Sequence, residues 1–167
     1  MGERLTKQDI EKIRSEIDHR RLVLRPELIK AVQEARAQGD LSENFEYYAA
    51  KREKNQNESR IRYLERMLKT SQLVEDRSAD EEIGLNNLVT IEFPEDHVTE
   101  TYKLVTSIRG NSMQGRISIE SPLGKAILGR HAGDEARVVL DNGSSYPVKI
   151  VSFEKNRDDG DDQIRSY

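Results

Sequence analysis

Cysteine and tryptophan are both missing from these 167 residues. The first absence removes disulfides, thiolate metal sites and cysteine nucleophiles together. The second, with aromatics at only 5% and charged residues at 35%, argues against a single large apolar core. No apolar run approaches the roughly 20 residues that a bilayer-spanning helix needs. The N-terminus also has no apolar core of a signal peptide, so the expectation is a soluble cytoplasmic protein that meets no membrane. Histidine is scarce too: His19, His97 and His131 are scattered and form no motif.

What is present is charge, unevenly placed. Residues 1–75 carry 16 basic and 14 acidic side chains, whereas 76–167 carry 11 and 17, within a net charge of -4. A chain this acidic is a poor general binder of duplex DNA. The basic excess gathers at Lys51, Arg52, Lys54, Arg60, Arg62, Arg66 and Lys69, a local face suited to a nucleic acid end or an acidic channel.

Ile10, Ile13, Ile17 and Leu24 recur at helical spacing, and Leu28, Ala31 and Ala35 continue the stripe. Tyr47, Ala50, Lys54, Asn57, Ile61, Leu64 and Leu68 keep the three-four alternation of a coiled-coil seam. Only Gly39-Asp40-Leu41-Ser42-Glu43-Asn44 interrupts the two. Folding the chain between Asp40 and Leu41 sets Leu68 against Ile13, Leu64 against Ile17 and Ala50 against Ala31. Two stripes read separately agree on one turn, so residues 1–75 are expected to form an antiparallel coiled-coil hairpin with an acidic tip. Thr6 is a plausible N-cap for its first helix, and Arg25-Pro26-Glu27 predicts a kink or short break. Lys54 and Asn57 in the seam lower stability but fix register.

The helical pattern fades near Ser71, and 76–86 reads as an acidic linker. Residues 87–155 change period: 88–93, 101–105, 115–120, 136–140 and 146–153 read as strands. Asp141-Asn142-Gly143 marks a hairpin turn. Ser121-Pro122 and Gly129 bracket one short helix. Together these predict an α+β chain whose second part is a small antiparallel sheet with one helix. Residues 156–167 are expected to be a mobile charged tail.

Asp40 and Glu43 admit a purely structural reading, in which Asp40 caps the second helix and Glu43 completes a capping box. Phe45, Tyr47 and Tyr48 crowd beside them, which instead suggests a tip inserted into a partner. Two carboxylates offer the hard oxygen ligands that Mg²⁺ takes, but too few to hold it alone.

The segments Leu24-Arg25-Pro26-Glu27, Glu34-Ala35-Arg36 and Gly39 to Lys51 resemble the N-terminal coiled coil of the bacterial transcript-cleavage factors GreA and GreB. Gly115-Arg116-Ile117-Ser118, Ser121 to Gly129 and Gly133-Asp134 resemble that family's C-terminal domain. Ser59 stands where GreA-like sequences carry Gly, and Arg60 to Leu64 reads closer to GreB, which leaves the subtype open. The resemblance implies an FKBP-like fold for 87–155, acting as a polymerase-docking domain, and bacterial RNA polymerase as partner of a monomer. It implies that Asp40 and Glu43 reach through the secondary channel and hold Mg²⁺ jointly with the polymerase. The polymerase then cleaves the 3′ end of backtracked RNA, and the factor itself is no enzyme. In this picture Ser42, Asn44, Phe45 and Tyr47 support the tip. By the same analogy Lys51, Arg52, Lys54 and Arg60 contact the RNA. A channel-binding regulator that tunes transcription without cleavage is the alternative. A prolyl isomerase is disfavoured, because Phe93, Tyr102, Tyr146 and Phe153 are few for an aromatic-lined pocket.

Overall fold

A computed structural model of the chain describes residues 2–39, 44–156 and 162–165. Its helices and first strands are β1 (Arg4–Leu5), α1 (Lys7–His19), a π-helical turn (Arg20–Leu24), α2 (Arg25–Arg36), α3 (Phe45–Thr70) and β2 (Gln72–Leu73). There follow β3 (Leu88–Phe93), β4 (Val98–Val105), β5 (Arg116–Ser118), α4 (Pro122–Ile127), β6 (Glu135–Val139) and β7 (Ser145–Glu154). Two units emerge, one built from Asp9–Ser71 and the other from Glu3–Gln8 with Gln72–Ser166. The chain is α+β: an antiparallel helical hairpin and a small sheet unit.

The hairpin holds together along the expected stripe. Ile13, Ile17 and Ala35 are buried on the first arm, and Tyr47, Asn57, Ile61, Leu64 and Met67 on the second. Burying each large apolar side chain contributes about 1.5–3 kcal/mol. Met67, with an unbranched chain that adapts to irregular gaps, takes the buried place expected of Leu68, which is only half-buried.

Pro26 does not break the helix. It is the second residue of α2, and the turn before it is widened: the Arg25 N–H bonds the Arg20 carbonyl, five residues back. An α-helical turn would press the proline ring onto the carbonyl four residues earlier. A π-turn gives it room while keeping the axis continuous.

The sheet runs β5-β4-β3-β7-β6. It is mixed rather than wholly antiparallel, because β5 pairs parallel to β4, Leu104 facing Ile117. Two short 3-10 turns, Ser107–Arg109 and Ser112–Gln114, carry the chain back so that β5 runs the same way as β4. Ile83, Leu85, Val89, Ile91, Leu104, Ile127, Val138, Val148 and Ile150 form the core. The Ser121 side chain caps α4 by accepting the Gly124 N–H at 3.1 Å, and Gly124 is needed there: a Cβ would lie 1.9 Å from the Ser118 carbonyl oxygen. The helix ends at Ile127 with Leu128 as its C-cap, and Gly129, at φ +81°, is the stop expected just past its end.

Two expectations fail in this unit. The acidic stretch 76–86 is no free linker, since Ile83 and Leu85 are buried in the core. The Ile83 N–H bonds the Arg130 carbonyl and the Gly129 N–H bonds that of Ile83. Neighbouring acids hid two alternating apolar residues. The described part of the tail, 162–165, is not loose either. Asp162 accepts from Lys103 Nζ at 2.8 Å, with Arg109 and Arg116 at 3.8 and 3.9 Å, and the Arg165 N–H bonds the Ile108 carbonyl. Those cations lie far apart in sequence, so no local pattern announced the pocket.

Candidate functional site

Of the residues expected at the tip, Asp40, Ser42 and Glu43 lie outside the described residues, and Asn44, Phe45 and Tyr47 lie within them. What the structure shows is how the turn is closed from both sides. Gly39 follows α2 with φ +139°, a backbone conformation that L side chains rarely adopt. Asn44 then starts α3. Its Oδ1 accepts the Tyr47 N–H at 3.0 Å, the N-cap bond, while its Nδ2 donates to the Ala35 carbonyl at 2.6 Å. One amide therefore satisfies an orphan donor at the head of α3 and ties it to the Ala35 carbonyl near the end of α2, which also accepts the Gln38 N–H at 3.3 Å.

This corrects the structural reading of the acids. The second helix begins at Phe45 with Asn44 as its cap, so capping does not require Asp40 or Glu43.

Tyr47 anchors the same end. It is 8% exposed, and its hydroxyl accepts from Arg36 Nη2 at 3.4 Å. The Arg36 guanidinium and Lys51 Nζ lie 5.6 and 6.0 Å from its ring centroid, within cation–π range. The Arg36 hydrogen bond, followed by the nearby Lys51 and Arg36 charges, outweighs burial and lowers the Tyr47 hydroxyl below its usual pKa of 10.0. Tyr48 packs edge-on against Tyr47 at 5.4 Å. Phe45 has no such role, being 84% exposed. Arg36 and the Ala35 carbonyl are supports that residue-by-residue reading missed. The motif Glu34-Ala35-Arg36 was their signal, but it carries no chemistry until Tyr47 is brought opposite.

The basic residues separate into two groups. Lys51 and Arg52 are exposed on α3 and line, with Tyr48, Asn55, Gln56 and Ser59, a shallow groove of ≈ 530 Å³. Cations beside an aromatic face suit a single-stranded nucleic acid. Lys54 is half-buried, one of the charges that lower Glu58. Arg60 does not belong to this face. It is 8% exposed, its Nε and Nη2 donate to the Glu16 carboxylate at 2.8 and 3.3 Å, and its guanidinium covers the Tyr63 ring. A cation already paired across the hairpin is unavailable to a phosphate. Among the described residues no three His, Asp or Glu cluster as metal ligands, and no helix is long and apolar enough to cross a membrane.

Comparison with known proteins agrees along nearly the whole length. A family profile described as "Transcription elongation factor, N-terminal" matches residues 3–73, and one described as "Transcription elongation factor, GreA/GreB, C-term" matches 78–155. The chain is 40% identical over 149 residues to the transcription elongation factor GreA of Macrococcus caseolyticus, covering 89% of this chain and 94% of that one. It is 38% identical to that of Staphylococcus carnosus over 151 residues, covering 90% and 94%. Among solved structures, Gfh1 of Thermus thermophilus, a GreA factor homolog, matches with TM-score 0.43 and 28% identity over 93% of this chain and 100% of that one. A GreA/GreB elongation factor from Nitrosomonas europaea matches with TM-score 0.39 and 24% identity over 57% and 79%.

Proposed function

Because the chain belongs to the GreA/GreB family of transcription elongation factors, we propose that it enters the secondary channel of bacterial RNA polymerase and stimulates the polymerase's own cleavage of backtracked RNA. Asp40 and Glu43 are the acting groups. The observation that carries this reading is the Asn44 clasp: Asn44 caps α3 and ties it to Ala35, so the cap of the second arm does not call on Asp40 or Glu43.

The chemistry fits an incomplete ligand set. Two carboxylates are hard oxygen donors of the kind Mg²⁺ takes, yet they fall short of its six-oxygen shell. The rest must come from the polymerase, the RNA and water. The ion when bound polarises the scissile phosphate and activates water. Asp40 and Glu43 would help hold that ion and orient the attacking water, so the factor would have no nuclease activity by itself. Lys51 and Arg52, with Tyr48 beside them, are placed to steady the extruded 3′ RNA through its phosphates and bases.

Stalled, backtracked elongation complexes with labelled RNA test the reading. Adding the protein with Mg²⁺ should shorten the transcript from its 3′ end and restore elongation. Unchanged transcript length with the protein bound would leave only a channel-occupying regulator.

A further inference from the structure

The widened turn Arg20–Leu24 holds no buried residue. Leu22 and Val23 are 75% and 43% exposed, so apolar packing does not hold it. Polar pins do. Arg20 Nη1 donates to Asn57 Oδ1 at 2.9 Å, and Asn57 Nδ2 donates back to the Arg20 carbonyl at 3.2 Å. That carbonyl is the one that accepts the Arg25 N–H to close the π-turn. Arg20 Nε also reaches Glu16 at 2.8 Å. Arg25 forks onto Glu58, Nε to Oε1 at 2.7 Å and Nη2 to Oε2 at 2.8 Å, and Arg21 pairs with Glu65.

Stability is a weak reason for such a cluster. Partly exposed ion pairs contribute little, and a buried seam amide lowers stability relative to an apolar residue while fixing register. A two-bond Arg–carboxylate fork instead fixes direction. A helix interrupted by a π-turn is where a bend is set.

We propose that the pinned π-turn is the hairpin's aiming device: Asn57 and the Arg25–Glu58 fork are positioning residues that fix the angle at which α2 continues from α1, and hence where Asp40 and Glu43 arrive. This rests on the cleavage reading above. Beyond the turn, α2 and the residues up to Gly39 span roughly 20 Å at about 1.5 Å per residue. A change of about 5° at the turn displaces the tip by nearly 2 Å on that lever, and misplacement by about 1 Å can cost on the order of 100-fold in rate.

The test is Arg25→Glu, Glu58→Arg and the double charge swap, assayed by the maximal rate of transcript cleavage and the half-saturating factor concentration. Each single variant should lower the maximal rate by about tenfold or more, with half-saturation nearly unchanged. The double swap should restore most of that loss by rebuilding the pair with reversed sign. Asn57→Leu guards against misfolding, because an apolar seam residue should raise the melting temperature while the cleavage rate falls. A purely structural role moves both in the same direction. Single variants at full rate, a double swap no better than its parents, or a stabilised Asn57→Leu with undiminished cleavage would each overturn the aiming role. A wild type that fails to cleave would overturn the functional reading along with it.

Discussion

Glu16→Ala removes one carboxylate and leaves two arginines without the group that holds them together. Glu16 accepts from Arg60 at 2.8 and 3.3 Å and from Arg20 at 2.8 Å. Arg60 is nearly buried, whereas about a quarter of the Glu16 side chain meets water. Breaking a fully buried pair costs about 3–5 kcal/mol, and the partial exposure of Glu16 brings this to about 2 kcal/mol. For a chain of this length that is a fall of roughly 4–8 °C in melting temperature, read by circular dichroism at 222 nm. Glu65→Ala is the control. Its pair with Arg21 is more than 40% exposed on both sides and is worth about 0.5 kcal/mol. The pH dependence adds a second reading. Burial alone would raise the Glu16 pKa, but hydrogen bonds from Arg60 and then Arg20, with their charges, lower it below 4.5. A carboxyl lowered in the folded state stabilises above its unfolded pKa and loses that contribution as pH falls through the folded value. The gap between wild type and Glu16→Ala should therefore be full at pH 7 and close below about pH 4.5. A Glu16→Ala shift no larger than that of Glu65→Ala, or a gap that does not change with pH, would refute the reasoning.

Three further outcomes are expected. Asn44→Ala should destabilise the hairpin by about 1–2 kcal/mol, losing a cap and the side-chain bond that ties α3 to the Ala35 carbonyl; chemical denaturation checks this, and a neutral result would contradict the clasp. Gly124→Ala should destabilise the sheet unit by about 2 kcal/mol or more through overpacking against the Ser118 carbonyl, seen as a lower denaturation midpoint. Charge reversal at Lys51 and Arg52 should weaken cleavage of long backtracked RNA more than short and flatten its salt dependence, since fewer phosphates are then neutralised. Equal loss on both lengths would contradict an RNA-contacting role.

The hairpin was legible because Ile13 and Ile17 on one arm and Ile61 and Leu64 on the other form stripes whose registers must agree at one turn. Periodicity measures burial directly, and four of those residues are among the most buried. The form of the disturbance at Pro26 was not legible. A proline announces that an α-turn is costly, but whether the chain kinks, breaks or widens depends on partners such as Asn57, 31 residues further on. The same limit misassigned Arg60. As a basic residue in a basic stretch it looked exposed, and only the opposite arm supplies Glu16. Ile83 and Leu85 were missed because composition over a window outvoted two alternating apolar positions. The tail was missed because three cations from β4, a 3-10 turn and β5 meet at Asp162 only after folding. At the tip, spacing assigned the cap of the second helix to Asp40, whereas Asn44 takes it.

The most direct test replaces the acids one at a time. Asp40→Ala and Glu43→Ala are added at saturating concentration to backtracked elongation complexes, with polymerase binding measured in parallel by competition against labelled wild type. Each variant should bind within about twofold of wild type yet lose stimulated cleavage by at least about 100-fold, the scale on which lost transition-state contacts register. Full cleavage by either variant, or cleavage lost only in proportion to binding, would contradict the claim that this rod works by delivering two carboxylates into another enzyme's catalytic centre.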